Sequence, residues 1–189
     1  PAKVITAGEG GAVFTKDANL AGDLRTVRDN GRYPISLEQH GFGLNFHMPE
    51  MCAALALSQL KRLDENIERR QAIGARYRKA WASDERLVLQ AYSPGHAYHL
   101  FVIRLSDRVR TSRDEFRAAL KEKGVGTQVH YRPLHQHPII EGDYEDGSFP
   151  VADHAYSRMM SIPMYPTLLP GEVRAVIAAV NNTLDEITP

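Results

Sequence analysis

Apolar positions recur at helical spacing in four stretches and in strand-like runs between them. Leu20, Leu24 and Val27 share one face of a helix that Asp17 can cap and that Asn30-Gly31 ends near Asp29. Pro49 suits a first helical position, where its missing N–H costs nothing, and Glu50 complements the dipole there. From that point Met51, Ala54, Leu55, Leu57 and Leu60 lead into Leu63, Ile67, Ile73, Tyr77 and Trp81. Unbroken, this helix spans about 50 Å and bridges two domains. Gly74 and Lys61-Arg62-Leu63-Asp64 are the places where it can bend. Its Lys61–Lys79 portion is rich in arginine, Arg69, Arg70, Arg76 and Arg78 among them. The acids Asp64, Glu65 and Glu68 are interleaved, so a solvated face is expected.

Beyond Trp81 the pattern turns to mixed α/β. Tyr98 to Leu105 is nearly all apolar and predicts a buried strand. Ser112-Arg113-Asp114-Glu115 has the capping-box spacing, with Phe116, Ala119 and Leu120 inward and Gly124 as the stop. Thr127–Tyr131 predicts a second strand, and Val151–Met160 a helix. In Ser161–Pro166, two prolines argue for an extended segment and against a central strand. A last amphipathic helix starts near Pro170, with Val173, Val176, Ile177, Val180 and Leu184 inward. Near the start, Ala12–Thr15 predicts a strand after Gly8-Glu9-Gly10-Gly11, and a loop runs through Arg32-Tyr33-Pro34 to Gly43. The expected division is residues 1–60 as the tail of one unit and 61–189 as a small α/β domain with an antiparallel or mixed sheet.

The 189 residues are 43% hydrophobic and 24% charged, which suits a folded globular chain and excludes a disordered, collagen-like or coiled-coil one. Lys plus Arg and Asp plus Glu are 23 each, so the basic excess of a nucleic-acid binder is missing. No apolar run reaches bilayer-spanning length, and no secretory leader pattern opens the chain. One cysteine, Cys52, excludes an internal disulfide framework and fits a reducing, cytoplasmic setting. In its apolar helical stretch it reads as a small core residue.

Three places could carry chemistry. Lys3 precedes Ile5-Thr6-Ala7-Gly8-Glu9-Gly10-Gly11; glycines let backbone pack around a nucleophilic amine, but a surface lysine ahead of a turn has the same pattern. Asn45 and His47 stand before the Pro49 helix start, whose free N–H groups suit a phosphate; read alone, they are better taken as a turn residue and a local cap. His130, His135 and His137 lie in one proline-bearing loop with Tyr131. Their spacing is irregular and no Cys is near, so a loop presenting polar groups at a cleft is favoured over a metal site.

Taken together and in order, these blocks resemble the DegT/DnrJ/EryC1/StrS family of pyridoxal-phosphate (PLP) sugar aminotransferases. The resemblance rests on Lys3 with Thr6–Gly11, Gly43-Leu44-Asn45-Phe46-His47-Met48-Pro49-Glu50, Ala53-Ala54-Leu55 with Gln59-Leu60, and Ser112–Phe116. It continues through His130-Tyr131-Arg132-Pro133-Leu134-His135, Phe149-Pro150-Val151-Ala152 and Ser161–Pro166. It implies the C-terminal part of a fold-type-I PLP-dependent transferase: the end of a large domain plus a small α/β domain. Lys3 would be the Schiff-base lysine and proton shuttle. Asn45 and His47 would reach the PLP phosphate of a neighbouring subunit in a homodimer, with His47 standing where Arg is common. His130, Tyr131 and His135 would lie toward the substrate. The implied ligands are pyridoxal 5'-phosphate, a nucleotide-linked keto-sugar and an amino-acid donor, glutamate, with no metal, nucleic acid or membrane partner. The family's ring-stacking residue and pyridine-pairing acid precede the lysine. The chain is therefore expected to be a C-terminal fragment that binds PLP poorly alone. The alternatives are an inactive fragment serving as a folded or self-associating domain, and a metal-binding module on the three histidines.

Overall fold

A computed structural model of the chain describes residues 3–32, 38–140, 142, 144–145 and 147–187. Tyr33 and Pro34 of the expected loop lie outside the described residues. The chain divides into two compact units, Pro1–Asp64 and Glu65–Pro189.

In the first unit, Asp17 caps α1 (Ala18–Arg28) by accepting hydrogen bonds from the Asn19 and Leu20 N–H groups, at 2.9 and 3.2 Å. The helix ends where Asn30 and Gly31 take positive φ, 55° and 80°. Ala12–Thr15 is not a strand: it is exposed and pairs with no described residue, so its apolar run has no ladder to join. Pro49 stands just ahead of α2 (Glu50–Leu60) rather than inside it, and its carbonyl accepts the Ala53 N–H at 3.0 Å. The long helix breaks at Lys61-Arg62, one of the two expected places, and restarts as α3 (Leu63–Trp81). Neither α1 nor α2 has a buried residue. Cys52 is half-buried rather than core.

The second unit is built on an antiparallel sheet in the order β1 (Leu87–Leu89), β2 (Phe101–Leu105), β3 (Met159–Ile162). Leu87 pairs with Leu105 and Leu89 with Ile103 on one side; Phe101 pairs with Ile162 and Ile103 with Met160 on the other. Phe101, Ile103 and Leu105 alternate inward and are fully buried. They share one core with Tyr77 and Trp81 of α3, Phe116 and Leu120 of α4 (Arg113–Glu122), and Val173, Val180 and Leu184 of α6 (Pro170–Ile187). Val176 is buried with them, and Ile177 packs at the edge. The capping box at Ser112 is complete, with Ser112 Oγ accepting from the Glu115 N–H and the Glu115 carboxylate accepting from the Ser112 N–H. Ser112→Ala is expected to cost about 1 kcal/mol in a urea melt, and Ser112→Asp to restore most of it.

Four sequence expectations change here. The apolar run at Tyr98 becomes a strand only from Phe101, because Tyr98 has φ 44° and turns the chain. Thr127–Tyr131 contributes a single bridge, Gln128 to Ser161, instead of a full strand. The helix predicted to Met160 is α5 (Pro150–Arg158), since Met159 is already extended and opens β3. That strand lies between β2 and the Gln128 bridge, and it stops at Ile162, one residue before the first proline can interrupt the ladder.

The arginine face of α3 is not uniformly solvated. Arg70 is only 6% exposed, and its Nη1 donates to the carbonyls of Tyr98 and Met164, each at 2.9 Å. Burial pulls its pKa below the usual arginine value. Arg78 donates from Nε to Tyr98 Oη at 3.3 Å and from Nη2 to the Gln90 carbonyl. Tyr77 Oη donates to the Pro163 carbonyl at 3.0 Å, and burial drives its phenol well above the ordinary value. The proline-bearing segment after β3 therefore has its carbonyls satisfied by α3 side chains rather than by a strand. Gly74 does not bend α3. A Cβ there would lie 2.9 Å from the Tyr98 ring, so the glycine permits the close approach.

Candidate functional site

The first unit holds Lys3, Asn45 and His47. Lys3 is exposed and makes no ion pair among the described residues. After it, Thr6 Oγ1 accepts the Gly8 N–H at 3.1 Å and shapes the turn, where Gly8 takes φ 77°. A Cβ on Gly10 would lie 2.6 Å from Met48 Cε, so this glycine lets the turn pack against the segment that carries Asn45 and His47.

That segment is held to the end of α1 by backbone. Leu44 N–H donates to the Val27 carbonyl at 2.9 Å, Phe46 N–H to Arg28 at 3.0 Å, and Asn30 N–H to Leu44 at 3.1 Å. Gly31 and Gly43 cross backbone to backbone, and a Cβ on either would collide with the facing chain. The result is a bridge between Asp29 and Asn45. His47 Nε2 lies 2.9 Å from Asp29 Oδ1. This hydrogen bond, with the charges of His47, Arg32 and Arg28, holds the Asp29 carboxyl below the usual carboxylate range. Asp29 has no signal in the sequence that links it to a histidine 18 residues away.

The turn also forms one wall of a cleft in this unit, through Glu9, Gly10, Gly11, Ala12 and Val13. Facing it are Arg25 and Arg28 of α1 and the run Asn45–Pro49, around a volume of about 890 Å³. That volume is of the size that takes a small ligand. Asn45 and His47 line it; Lys3 is not among its lining residues.

The other predicted residues belong to the second unit. His130 Nδ1 is 2.9 Å from Ser161 Oγ, and its ring meets the edge of Tyr131, which is exposed. His135 Nε2 is 2.6 Å from Asp153 Oδ1, where Gln136 Nε2 also donates at 2.6 Å. The His135 ring packs on Phe149 with centroids 4.7 Å apart. Hydrogen bonding to His135 holds the Asp153 carboxyl below its ordinary range. His137 Nε2 faces the Arg132 carbonyl at 3.3 Å. Each histidine of the loop thus has one ring nitrogen engaged by a different group. Among the described residues no three His, Cys, Asp or Glu side chains gather as a metal site would require. The loop is clasped to α5 through Asp153, a residue with no signal in the sequence because its partner lies 18 positions away. No helix among the described residues is long and apolar enough to cross a membrane.

Comparison with known proteins gives a consistent picture. Residues 1–181 match the profile of the DegT/DnrJ/EryC1/StrS aminotransferase family. The spore coat polysaccharide biosynthesis protein SpsC of Bacillus subtilis (strain 168) is 34% identical over 199 aligned positions, which cover 95% of this chain and 51% of SpsC. A DegT DnrJ EryC1 StrS aminotransferase from Brucella abortus superposes with TM-score 0.84 at 29% identity, over 96% of this chain and 48% of that one. The PLP form of Spr1654 from Streptococcus pneumoniae shares the fold with TM-score 0.80 at 20% identity, over 94% of this chain and 46% of that one. The chain spans about half the length of the curated relative it matches.

Proposed function

Because the chain belongs to the DegT/DnrJ/EryC1/StrS aminotransferase family, we propose that it forms part of a PLP-dependent sugar aminotransferase, one that moves an amino group from glutamate to a nucleotide-linked keto-sugar. The observation that carries this reading is Lys3: an accessible, unpaired amine three residues ahead of the Thr6–Gly11 turn, in the unit that also holds the Asn45–His47 segment. The name of SpsC, a polysaccharide biosynthesis protein, supports a sugar as the acceptor.

The residues suit the cofactor in kind. The donor set offers an exposed amine at Lys3 for an aldehyde, and amide and cationic groups at Asn45 and His47 for a phosphate. When bound, PLP supplies an electron sink for the carbon whose C–H bond is broken. In this reading Lys3 would be the residue that holds PLP, and its amine would serve as the proton carrier of the transfer. Asn45 would help to hold the phosphate, with His47, which Asp29 fixes, beside it in the sequence. His130, Tyr131 and His135 serve the sugar-nucleotide end; with His130 and His135 each engaged through one nitrogen, the exposed Tyr131 hydroxyl is the freest donor there. The assembly expected in this reading is a homodimer.

The test is chemical. The purified chain is mixed with PLP, reduced with borohydride and mapped by peptide mass. With PLP in large excess, which offsets the poor affinity expected of this chain alone, one adduct at Lys3 is expected, absent in Lys3→Ala and in unreduced samples after denaturation. Labelling scattered over many lysines, or none, would overturn the reading for this chain and favour the alternative, a folded or self-associating domain without catalysis.

A further inference from the structure

Asn30-Gly31 is the only asparagine–glycine pair in the chain. Such a pair is chemically labile in water, because a glycine nitrogen has no side chain beside it to block its approach to the asparagine side-chain carbonyl carbon. The new N–C bond closes a succinimide ring, the attacking nitrogen gives up its proton, and ammonia leaves. Water then opens the ring to aspartate or to isoaspartate, in which the main chain runs through the side-chain carbons. Here the fold holds the nitrogen that must attack. Gly31 is buried, and its N–H donates to the Thr26 carbonyl at 2.8 Å. Gly43 crosses so closely that a Cβ on it would run into the Gly31 nitrogen. Asn30 is half-buried with φ 55°. Its N–H donates to the Leu44 carbonyl at 3.1 Å, and its own carbonyl accepts from Gln39 Nε2 at 3.1 Å. Ring closure removes the proton that Thr26 accepts, so the crossing must open before the reaction can occur.

We propose that Asn30-Gly31 is a latched deamidation site: the crossing with Gly43 suppresses its conversion, and conversion to isoaspartate releases the Asn45–His47 segment from α1. Isoaspartate lengthens the main chain inside the crossing by one methylene. It also turns the Asn30 main-chain carbonyl, which accepts from Gln39, into a free carboxylate. The Leu44 N–H bond to Val27 and the Asn30 N–H bond to Leu44 flank that insertion and lose their common register. Opening therefore exposes the pair to reaction, and reaction makes the opening permanent. The inference stands whether or not the chain binds PLP.

The full chain is held at mildly alkaline pH, folded and in guanidinium chloride, and sampled by peptide mass mapping. Isoaspartate is read by methylation with an isoaspartyl methyltransferase. In denaturant, Asn30 is expected to convert ahead of every other asparagine. In the folded chain its conversion should be slower by about tenfold or more, the effect of parting one or two hydrogen bonds before the nitrogen is free. Gly43→Ala, which forces the two segments apart, should bring the folded rate toward the denatured one. Gln39→Ala removes only the bond to the Asn30 carbonyl and should accelerate conversion less; it carries the test if Gly43→Ala melts early by circular dichroism. After conversion, amide exchange at residues 44–46 should be faster in the isoaspartyl fraction and stay slow in Asn30→Asp, which has the charge without the longer main chain. Equal rates in the folded and denatured chain, another asparagine converting first in denaturant, or no acceleration in either variant would overturn the proposal. So would equal exchange at residues 44–46 in the isoaspartyl fraction and in Asn30→Asp.

Discussion

Phe101→Ala is expected to destabilise the second unit by about 3–5 kcal/mol. The ring is completely buried at the middle of the sheet, where β2 pairs on both sides. It meets Tyr77 edge-on at 5.1 Å and stacks on Tyr98 at 5.9 Å, so truncation removes its own burial and two aromatic contacts. It also leaves a cavity that the sheet register prevents from closing, because Phe101 is fixed opposite Ile162 by the ladder. Urea unfolding followed by Trp81 fluorescence reads the effect, Trp81 being a member of the same core. Val88→Ala, on a strand position 40% exposed, should stay within about 0.5 kcal/mol. A loss below about 1 kcal/mol for Phe101→Ala would mean that the core is not organised around β2.

Arg70→Met is the second large effect, expected at about 2–4 kcal/mol. Methionine keeps an apolar stem of similar length but has no donor. The Tyr98 and Met164 carbonyls, which take their hydrogen bonds from Arg70 Nη1, would then be buried without a partner, and each such group costs about 1–3 kcal/mol. The removal of a buried charge offsets part of this. The variant should also loosen the chain near Met164 specifically, seen as faster amide exchange in residues 163–168 than in α4. Unchanged stability would show that desolvating the guanidinium costs as much as its bonds return.

These two residues mark how much is legible in the sequence. Phe101 lies in an apolar run that alternates inward, and the capping box at Ser112 and the stripe of α6 are equally plain, because each repeats a spacing that only one element satisfies. Arg70 looks like its neighbours Arg69 and Arg76. Nothing local distinguishes an arginine that reaches solvent from one that reaches a carbonyl 94 positions away. β1 escapes notice because three residues are too few to show a period. The break at Lys61-Arg62 involves no glycine or proline, so the sequence narrows it only to a stretch. At the candidate site Lys3, Asn45 and His47 are readable as motif positions. Their supports are not, since Asp29 and Asp153 act through partners far along the chain. In α1 and α2 the apolar spacing does mark helices, yet those side chains are not buried: Met51 is 84% exposed and Leu57 57%. Periodicity reports which face of a helix is apolar and is silent on what covers it.

The return of α6 to the end of α3 has a consequence for synthesis. Trp81 Nε1 donates to Asn181 Oδ1 at 2.8 Å across 100 positions, and Arg86 bonds Asp185 across 99. The helix that closes the core over Phe101 is therefore translated long after the strand it covers. At about 5–20 residues per second, the interval lasts on the order of ten seconds. During it the ribosome-bound chain holds β1 and β2 with their inward side chains uncovered, and β2 still lacks β3 on one edge. Until α6 is made, Phe101, Ile103 and Leu105 lack one of the helices that cover them, so the core of the second unit is completed last by its final helix.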